Sequence, residues 1–279
     1  MTLRRPAALA LVLTLLSLAH APARAEEGIS WFKDLKQASE AAQQANLPMF
    51  VDFWADWCAA CKVMDADVYT DHKVIEAFKS KIIGVRIHFD LQQELARKYN
   101  VPALPFLVFT NSYGTPLLYH RGFLEAEDLS KVVDAMPALS EINRLDRILQ
   151  EDKDHFESLV AMGDTLRTAS FYETSSAYYD RALKRNEARK DASRREAILF
   201  AAGSNWLALQ DGKKAAEIFE RCLKDFPKSQ NRPDYLLGLG QAYLLDENKK
   251  KAQQSFDTLL SQFPESEASR KAREVMKSL

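Results

Sequence analysis

Two cysteines three residues apart are the groups in this chain best placed to do chemistry. They sit in Trp54-Ala55-Asp56-Trp57-Cys58-Ala59-Ala60-Cys61-Lys62. An apolar run before them, Pro48-Met49-Phe50-Val51-Asp52-Phe53, reads as a buried strand, and Lys62-Val63-Met64-Asp65 reads as the first turn of a helix. At a strand-to-helix junction the first cysteine meets unpaired N–H groups and the positive end of a helix dipole, which favour its thiolate. The thiolate is the nucleophile of disulfide exchange, and a second cysteine one turn on can close the ring and release a substrate. A free thiol of pKa about 8.5 is roughly 3% ionised at pH 7, and one lowered to about 7 is half ionised. Other uses of the pair fit less well. Structural zinc takes four ligands, and the remaining cysteine, Cys222, lies far off in a helical region. A c-type haem needs His after the second Cys, where Lys62 stands. The expectation is a redox-active Cys58–Cys61 disulfide with no metal and no other cofactor.

The elements that must hold this pair belong to a chain of 279 residues, 47% hydrophobic and 28% charged, with a formal net charge of −1. Those values suit a globular protein of one or two domains. No basic block interleaves with aromatics, so nucleic acid is not an expected partner. The first residues read as a cleaved signal peptide spanning 1–25. Arg4 and Arg5 precede an apolar run from Pro6 to Ala19, and Ala23-Arg24-Ala25 has a small-x-small cleavage pattern. Cleavage removes Arg4, Arg5 and Arg24 and no acid, leaving a mildly acidic chain from Glu26. Export places the dithiol outside the cytoplasm, in a bacterial periplasm.

Along residues 26–137 the patterns predict a first helix from Trp31 to Ala45 and the strand Met49–Phe53. The Cys-x-x-Cys helix runs to about Tyr69 and resumes over Val74–Phe78. A β-branched strand over Ile82–Phe89, a helix from Leu91 to Tyr99 and a strand Phe106–Phe109 follow. An Asn111-Ser112-Tyr113-Gly114 turn leads to a strand Pro116–His120, and a helix Glu125–Met136 closes the segment. The order is βαβ, then ββα.

With the motif, that order resembles the thioredoxin fold. Val51-Asp52-Phe53-Trp54-Ala55-Asp56-Trp57-Cys58, Asn100-Val101-Pro102-Ala103-Leu104-Pro105-Phe106 and Arg121-Gly122-Phe123-Leu124 are most similar to the C-terminal periplasmic domain of the DsbD family of membrane thiol:disulfide interchange proteins. The resemblance covers Trp31 to Met136 and implies a protein-disulfide reductase or electron-relay domain. It implies Cys58 as the attacking thiolate, Cys61 as the buried resolving thiol and Asp52 as a buried acid. Burial raises the pKa of such an acid, so that it can accept a proton from Cys61. It further implies a cis-proline at Pro105 facing the dithiol, with the Leu104 backbone pairing with substrate and Trp57 as an apolar docking rim. It also implies Asp65 as a second acid near the dithiol, and Asp65 and Lys62 are expected to support the site. Ala59-Ala60 stands where thioredoxins have Gly-Pro, and Phe106 follows Pro105 in place of Thr. The membrane part of DsbD is not matched, which calls for a separate membrane electron donor of DsbD type.

From Pro137 onward the chain reads as helical, with Ser140 capping a helix over Glu141–Gln150, and it repeats. Gly163, Gly203 and Gly240 are each followed by an aromatic residue, Tyr179, Phe219 and Phe256, and Pro227 and Pro264 end two of the units. The period exceeds the tetratricopeptide 34, so turns between units carry extra residues. Residues 138–279 resemble three tetratricopeptide repeats, with Ala215 and Ala252 as small partners and Glu267–Leu279 as a cap. The first is the least regular, with Ser175 for Ala and Glu187 for Pro. Such a stack implies a groove for a peptide or protein ligand, near Phe200, Leu207, Leu237 and Leu244. Cys222 reads as a small buried hydrophobe. The expected whole is an α/β thioredoxin fold followed by an all-α solenoid. The expected function is reduction of disulfide-containing client proteins, with the repeats recruiting client or partner. Two alternatives stay open at this point. One is a repeat scaffold using the first fold as a docking surface, and the other is a disulfide oxidase or isomerase.

Overall fold

The computed structural model describes residues 28–277. The expected signal peptide lies outside the described residues. A four-stranded sheet of order β2-β1-β3-β4 organises the first half, with β1 Met49–Trp54, β2 Ile83–His88, β3 Phe106–Thr110 and β4 Pro116–Arg121. β1 runs parallel to β2 and antiparallel to β3, and β3 pairs antiparallel with β4. Period-two alternation splits β1 between two cores. Met49, Val51 and Phe53 face the side covered by α1 Leu35–Ala45 and α4 Gln93–Lys98. Phe50 faces Met64, Val68, Val74 and Leu129, on the side of α2 Ala59–Val63, α3 His72–Ser80 and α5 Ala126–Asp134.

The predicted helix from Trp31 begins at Leu35 instead. Asp34 takes the N-cap, accepting from the Gln37 N–H at 2.8 Å. Trp31 and Phe32 extend the sheet region: Phe32 N–H donates to Gly84 O at 2.9 Å and Phe32 O accepts from Arg86 N–H at 2.8 Å. The Cys-x-x-Cys helix also differs. Its regular part ends at Val63, a π-helical turn Met64–Val68 continues it, and α3 starts afresh with Asp71 as cap.

Helices α6 Leu139–Glu151 to α14 Glu267–Met276 follow. Ser140 is not the cap of α6, because the helix starts at Leu139, ahead of the expected Glu141, and Ala138 takes the N-cap without a side-chain bond. The repeats are α7 Phe156–Thr168 with α8 Tyr172–Leu183, α10 Ala192–Ala208 with α11 Gly212–Asp225, and α12 Arg232–Leu245 with α13 Lys249–Gln262. The extra turn is α9 Asn186–Lys190. The glycine–aromatic pairs are close approaches. A Cβ at Gly163, Gly203 or Gly240 would lie 2.5, 2.9 or 2.3 Å from the ring of Tyr179, Phe219 or Phe256 respectively. Cys222 is fully buried, and burial pushes its thiol up to about 12, so it is inert packing.

The halves share packing. Leu117 of β4 belongs to the same apolar cluster as Ile142, Leu145 and Tyr178 of the helical half. A buried carboxylate, Asp146 on α6, accepts from Asn111 Nδ2 at 2.9 Å, Thr115 Oγ1 at 2.9 Å and Gln150 Nε2 at 3.0 Å, tying the β3–β4 turn to the first of these helices.

Candidate active site

Cys58 is the N-cap of α2 and forms a disulfide with Cys61, which lies in the first turn. The Cys61 N–H points at Cys58 Sγ, 3.1 Å away, an orphan helix donor aimed at the sulfur that would carry charge when reduced. Both residues are buried, Cys58 at 5% exposure and Cys61 at 2%. The surface beside them is formed by Trp57, 63% exposed, whose indole N–H donates to Asp90 Oδ2 at 2.9 Å. Lys62 is exposed and makes no contact that would give it a role at the disulfide.

The register Phe53↔Phe106 between β1 and β3 sets Leu104 and Pro105 opposite Trp54 and Ala55, at the end of the sheet that leads into Cys58. The Leu104–Pro105 bond is cis, and Pro105 O accepts from Gly122 N–H at 2.9 Å, so Gly122 braces that loop from the β4 side. Gly122 has φ +90°, a conformation that glycine adopts without strain. The dithiol, Trp57 and the Leu104–Pro105 loop thus share one end of the fold.

Asp52 lies beneath α2, on the Phe50 face of β1, and is 1% exposed. Burial raises its carboxyl to about 6, against the pull of the Arg86 guanidinium, which favours the charged form. In the parallel pair β1–β2, Asp52 and Arg86 are direct partners, and Arg86 Nε donates to Asp52 Oδ2 at 3.0 Å. Arg86 Nη1 reaches Asp65 Oδ1 at 2.8 Å, so one guanidinium clamps the buried acid and the half-exposed one. Its carbon stands 4.5 Å from the Trp54 ring centroid, 5.6 Å from Trp31 and 5.7 Å from Tyr69. Among the described residues Asp52 Oδ1, the Tyr69 hydroxyl and Arg86 Nη2 are buried without hydrogen-bond partners of good geometry, so Arg86 holds one oxygen of Asp52 and the other lies on the side of the Tyr69 phenol. Burial, with the charge of Asp52 beside it, keeps Tyr69 a neutral phenol well above its usual range.

Sequence reasoning picked out both carboxylates and missed the arginine between them. The available signal was a single cation inside the β-branched run Ile82–Phe89. Trp31, Trp54 and Tyr69 were missed as its aromatic box. His88 Nε2 against Asp56 Oδ2 at 3.2 Å, on the exposed side, was missed too. Among the described residues no group of three or more His, Cys, Asp and Glu could hold a metal ion.

A family model described as thioredoxin-like matches residues 30–112. The match takes in β1, β2 and β3 and both cysteines of the disulfide. A tetratricopeptide-repeat model matches residues 197–229 and 234–266, the second and third repeats. The thioredoxin-like domain is similar to Thioredoxin 1 of Chlorobaculum tepidum, at 36% identity over 64 residues, 23% of this chain and 60% of that protein. It is similar to the thiol:disulfide interchange protein DsbD of Campylobacter jejuni, at 27% identity over 107 residues, 37% of this chain and 19% of the relative. The matches therefore span less than two thirds of either relative, 60% of the first and 19% of the second. Among solved structures, the C-terminal domain of Neisseria meningitidis DsbD in the oxidised form aligns with TM-score 0.33 and 23% identity, covering 38% of this chain and 97% of that one. No helix among the described residues is long and apolar enough to cross a membrane.

Proposed function

We propose that this chain is a thiol:disulfide oxidoreductase working as a periplasmic protein-disulfide reductase, with residues 26–137 as the redox domain and 138–279 as the recruiting one. The observation that carries the reading is the Cys58–Cys61 pair at the start of α2, backed on the same sheet face by a buried acid whose pKa lies near neutrality. In the reduced enzyme, the Cys58 thiolate attacks one sulfur of a client disulfide, a mixed disulfide forms, and the other client sulfur leaves as a thiolate. Cys61 then gives its proton to Asp52 and attacks Cys58 Sγ. The Cys58–Cys61 bond forms, the second client thiolate leaves, and two electrons have passed to the client. Asp52 suits the proton step because near pH 6–7 a group titrating at about 6 exchanges protons readily in both directions. Leu104 offers its main chain to the client, Pro105 packs behind it and Trp57 supplies the exposed apolar rim. Asp65 acts through Arg86.

A membrane donor of DsbD type returns the electrons, and the repeat groove holds a peptide or protein ligand that brings client or partner near. The test is insulin reduction by wild type and Cys58→Ala, with Cys61→Ser used to trap mixed disulfides. Unchanged insulin reduction by the Cys58 variant overturns the reading. The potential of the pair fixes the direction: near about −270 mV the dithiol is a reductant, and near about −120 mV an oxidant.

A further inference from the structure

A cleft of about 390 Å³ lies between the outer strand of the sheet and the first repeat, lined by β4 and by α8. Its floor is aromatic, with Tyr119 of β4 and Tyr178 of α8. Arg121 and Glu173 stand at its walls, one from each half, both exposed, and neither forms an ion pair with another described residue. Burial raises the Tyr119 phenol, Glu173 adds to the rise and Arg121 opposes it, so both charges act on the ring whose cleft they line.

The main chain of β4 is open on this side. Gly122 N–H bonds Pro105 O, and Asn111 N–H bonds Thr115 O, at the two ends of the β3–β4 ladder. Between these ends, in register, His120 faces Leu107 and Leu118 faces Phe109. Hydrogen-bonded pairs alternate along an antiparallel ladder, so His120 and Leu118 direct their N–H and C=O groups to β3, while Tyr119 and Arg121 direct theirs outward. Among the described residues β4 has no strand on its other side. Asn100 and Phe106, which bracket the loop carrying Leu104 and Pro105, both line the cleft. The cleft therefore begins one residue from the loop assigned to client binding.

We propose that this cleft binds an extended segment of the client polypeptide. The segment adds main-chain hydrogen bonds to Tyr119 and Arg121, seats an apolar side chain on the Tyr119–Tyr178 floor, and carries an acidic neighbour facing Arg121 and a basic one facing Glu173. An aromatic floor between the unpaired Arg121 and Glu173 complements that pattern, with the third lining charge, Arg181, held over the Tyr178 ring and donating to Lys153 O. An open strand edge accepts a polypeptide of any sequence, and the floor and the charges supply the selectivity. The proposal rests on the reductase reading for the identity of the occupant, and the experiment separates the two.

The probe is a cysteine-free, fluorescein-labelled nonapeptide with central Glu-Phe-Lys in a Ser/Thr/Gly background, compared with the same peptide carrying Gly-Ser-Gly, by anisotropy on the full chain. Wild type is expected to bind the first at least about tenfold tighter, the order of one buried aromatic side chain. Ala177→Trp, at an exposed position of α8 inside the cleft, is expected to remove that preference. Arg121→Glu with Glu173→Lys is expected to transfer it to Lys-Phe-Glu. Equal affinity for the two peptides, or a preference that survives Ala177→Trp in a variant of unchanged circular dichroism, overturns the site. A second readout uses the Glu-Phe-Lys peptide joined through a cysteine to a chromophoric thiol. Its kcat/KM should exceed that of the Gly-Ser-Gly version in wild type and fall to it in Ala177→Trp, with the rate on the small disulfide alone unchanged. Binding without that kinetic gain overturns the client as occupant, and a dithiol that reduces neither substrate refutes the reductase reading while leaving the binding result in place.

Discussion

Asp52→Asn should change the pH dependence of stability more than stability itself. The carboxyl titrates at about 6 in the fold against 3.8 when unburied. A raised acid pKa means that the native state holds a proton the unfolded state has released, so stability falls as pH rises from about 3.8 to 6. A shift of about two pKa units corresponds to about 3 kcal/mol, present in full as a penalty above pH about 7 and gone below pH about 3.5. Between pH about 4.5 and 7.5 the linkage relation leaves about 2 kcal/mol of it. Asparagine cannot ionise, so the variant lacks this term, while its carbonyl oxygen can still accept from Arg86 Nε and any change in that bond is a nearly pH-independent offset. The measurement is guanidinium unfolding of oxidised wild type and Asp52→Asn at both pH values. The stability of the variant relative to wild type should improve by about 2 kcal/mol on going from pH 4.5 to 7.5. Fluorescence of Trp54 and Trp31, whose rings face Arg86, should show a wild-type titration near pH 6 that the variant lacks. A flat difference, or one of opposite sign, would mean that the Arg86 pair outweighs burial and Asp52 is an ordinary ionised partner.

Arg86→Met removes the cation that pulls Asp52 down, so the fluorescence titration should move above pH 6, and the acid limb of client reduction, set by deprotonation of Asp52, should move up with it. Arg86→Lys should restore part of that shift and little of the packing against Trp54, because an ammonium cannot clamp Asp52 and Asp65 together. Gly240→Ala places a methyl 2.3 Å from the Phe256 ring and should cost about 1–3 kcal/mol in the repeat unfolding transition, measured by circular dichroism at 222 nm. Asp146→Ala strands the buried Asn111 amide and should cost about 3 kcal/mol. It should also expose the β3–β4 turn to limited proteolysis while Cys58 reactivity stays unchanged.

Much of the fold was legible because its signals are local. Alternating and continuous apolar runs located the strands, and an αL Asn46 with Pro48 beyond it ends α1 where the pattern stops. The glycine–aromatic spacing in the repeats was legible for the same reason: each close approach links two helices of one hairpin, a short way apart in the chain. The errors lie where a local pattern competes with a distant partner. Trp31 has helical spacing to Leu35, yet its ring is taken up by Phe50, Tyr69 and Phe78, so the helix starts later. Ser140 is a better capping residue than Ala138, yet Leu139 and Ile142 must both reach the shared core and the helix begins early.

The candidate site divides along the same line. Cys58, Cys61 and the strand-to-helix junction lie within a few residues of each other, so their spacing alone places one sulfur at a helix start and the other a turn on. Asp52 was legible as a charge among apolar neighbours. Arg86 was not, although it decides how Asp52 titrates. It is 34 residues away, and only the parallel β1–β2 register brings the two side by side. The cleft between β4 and α8 is further still from sequence, since it exists only where a sheet edge and a repeat helix are brought together by Leu117 and the Asp146 bonds. Residue type and spacing therefore determined the reactive pair and the two architectures. Tertiary structure decided the electrostatics around the pair and the surface beside it, because a pKa depends on burial and on charges that the chain supplies from remote strands.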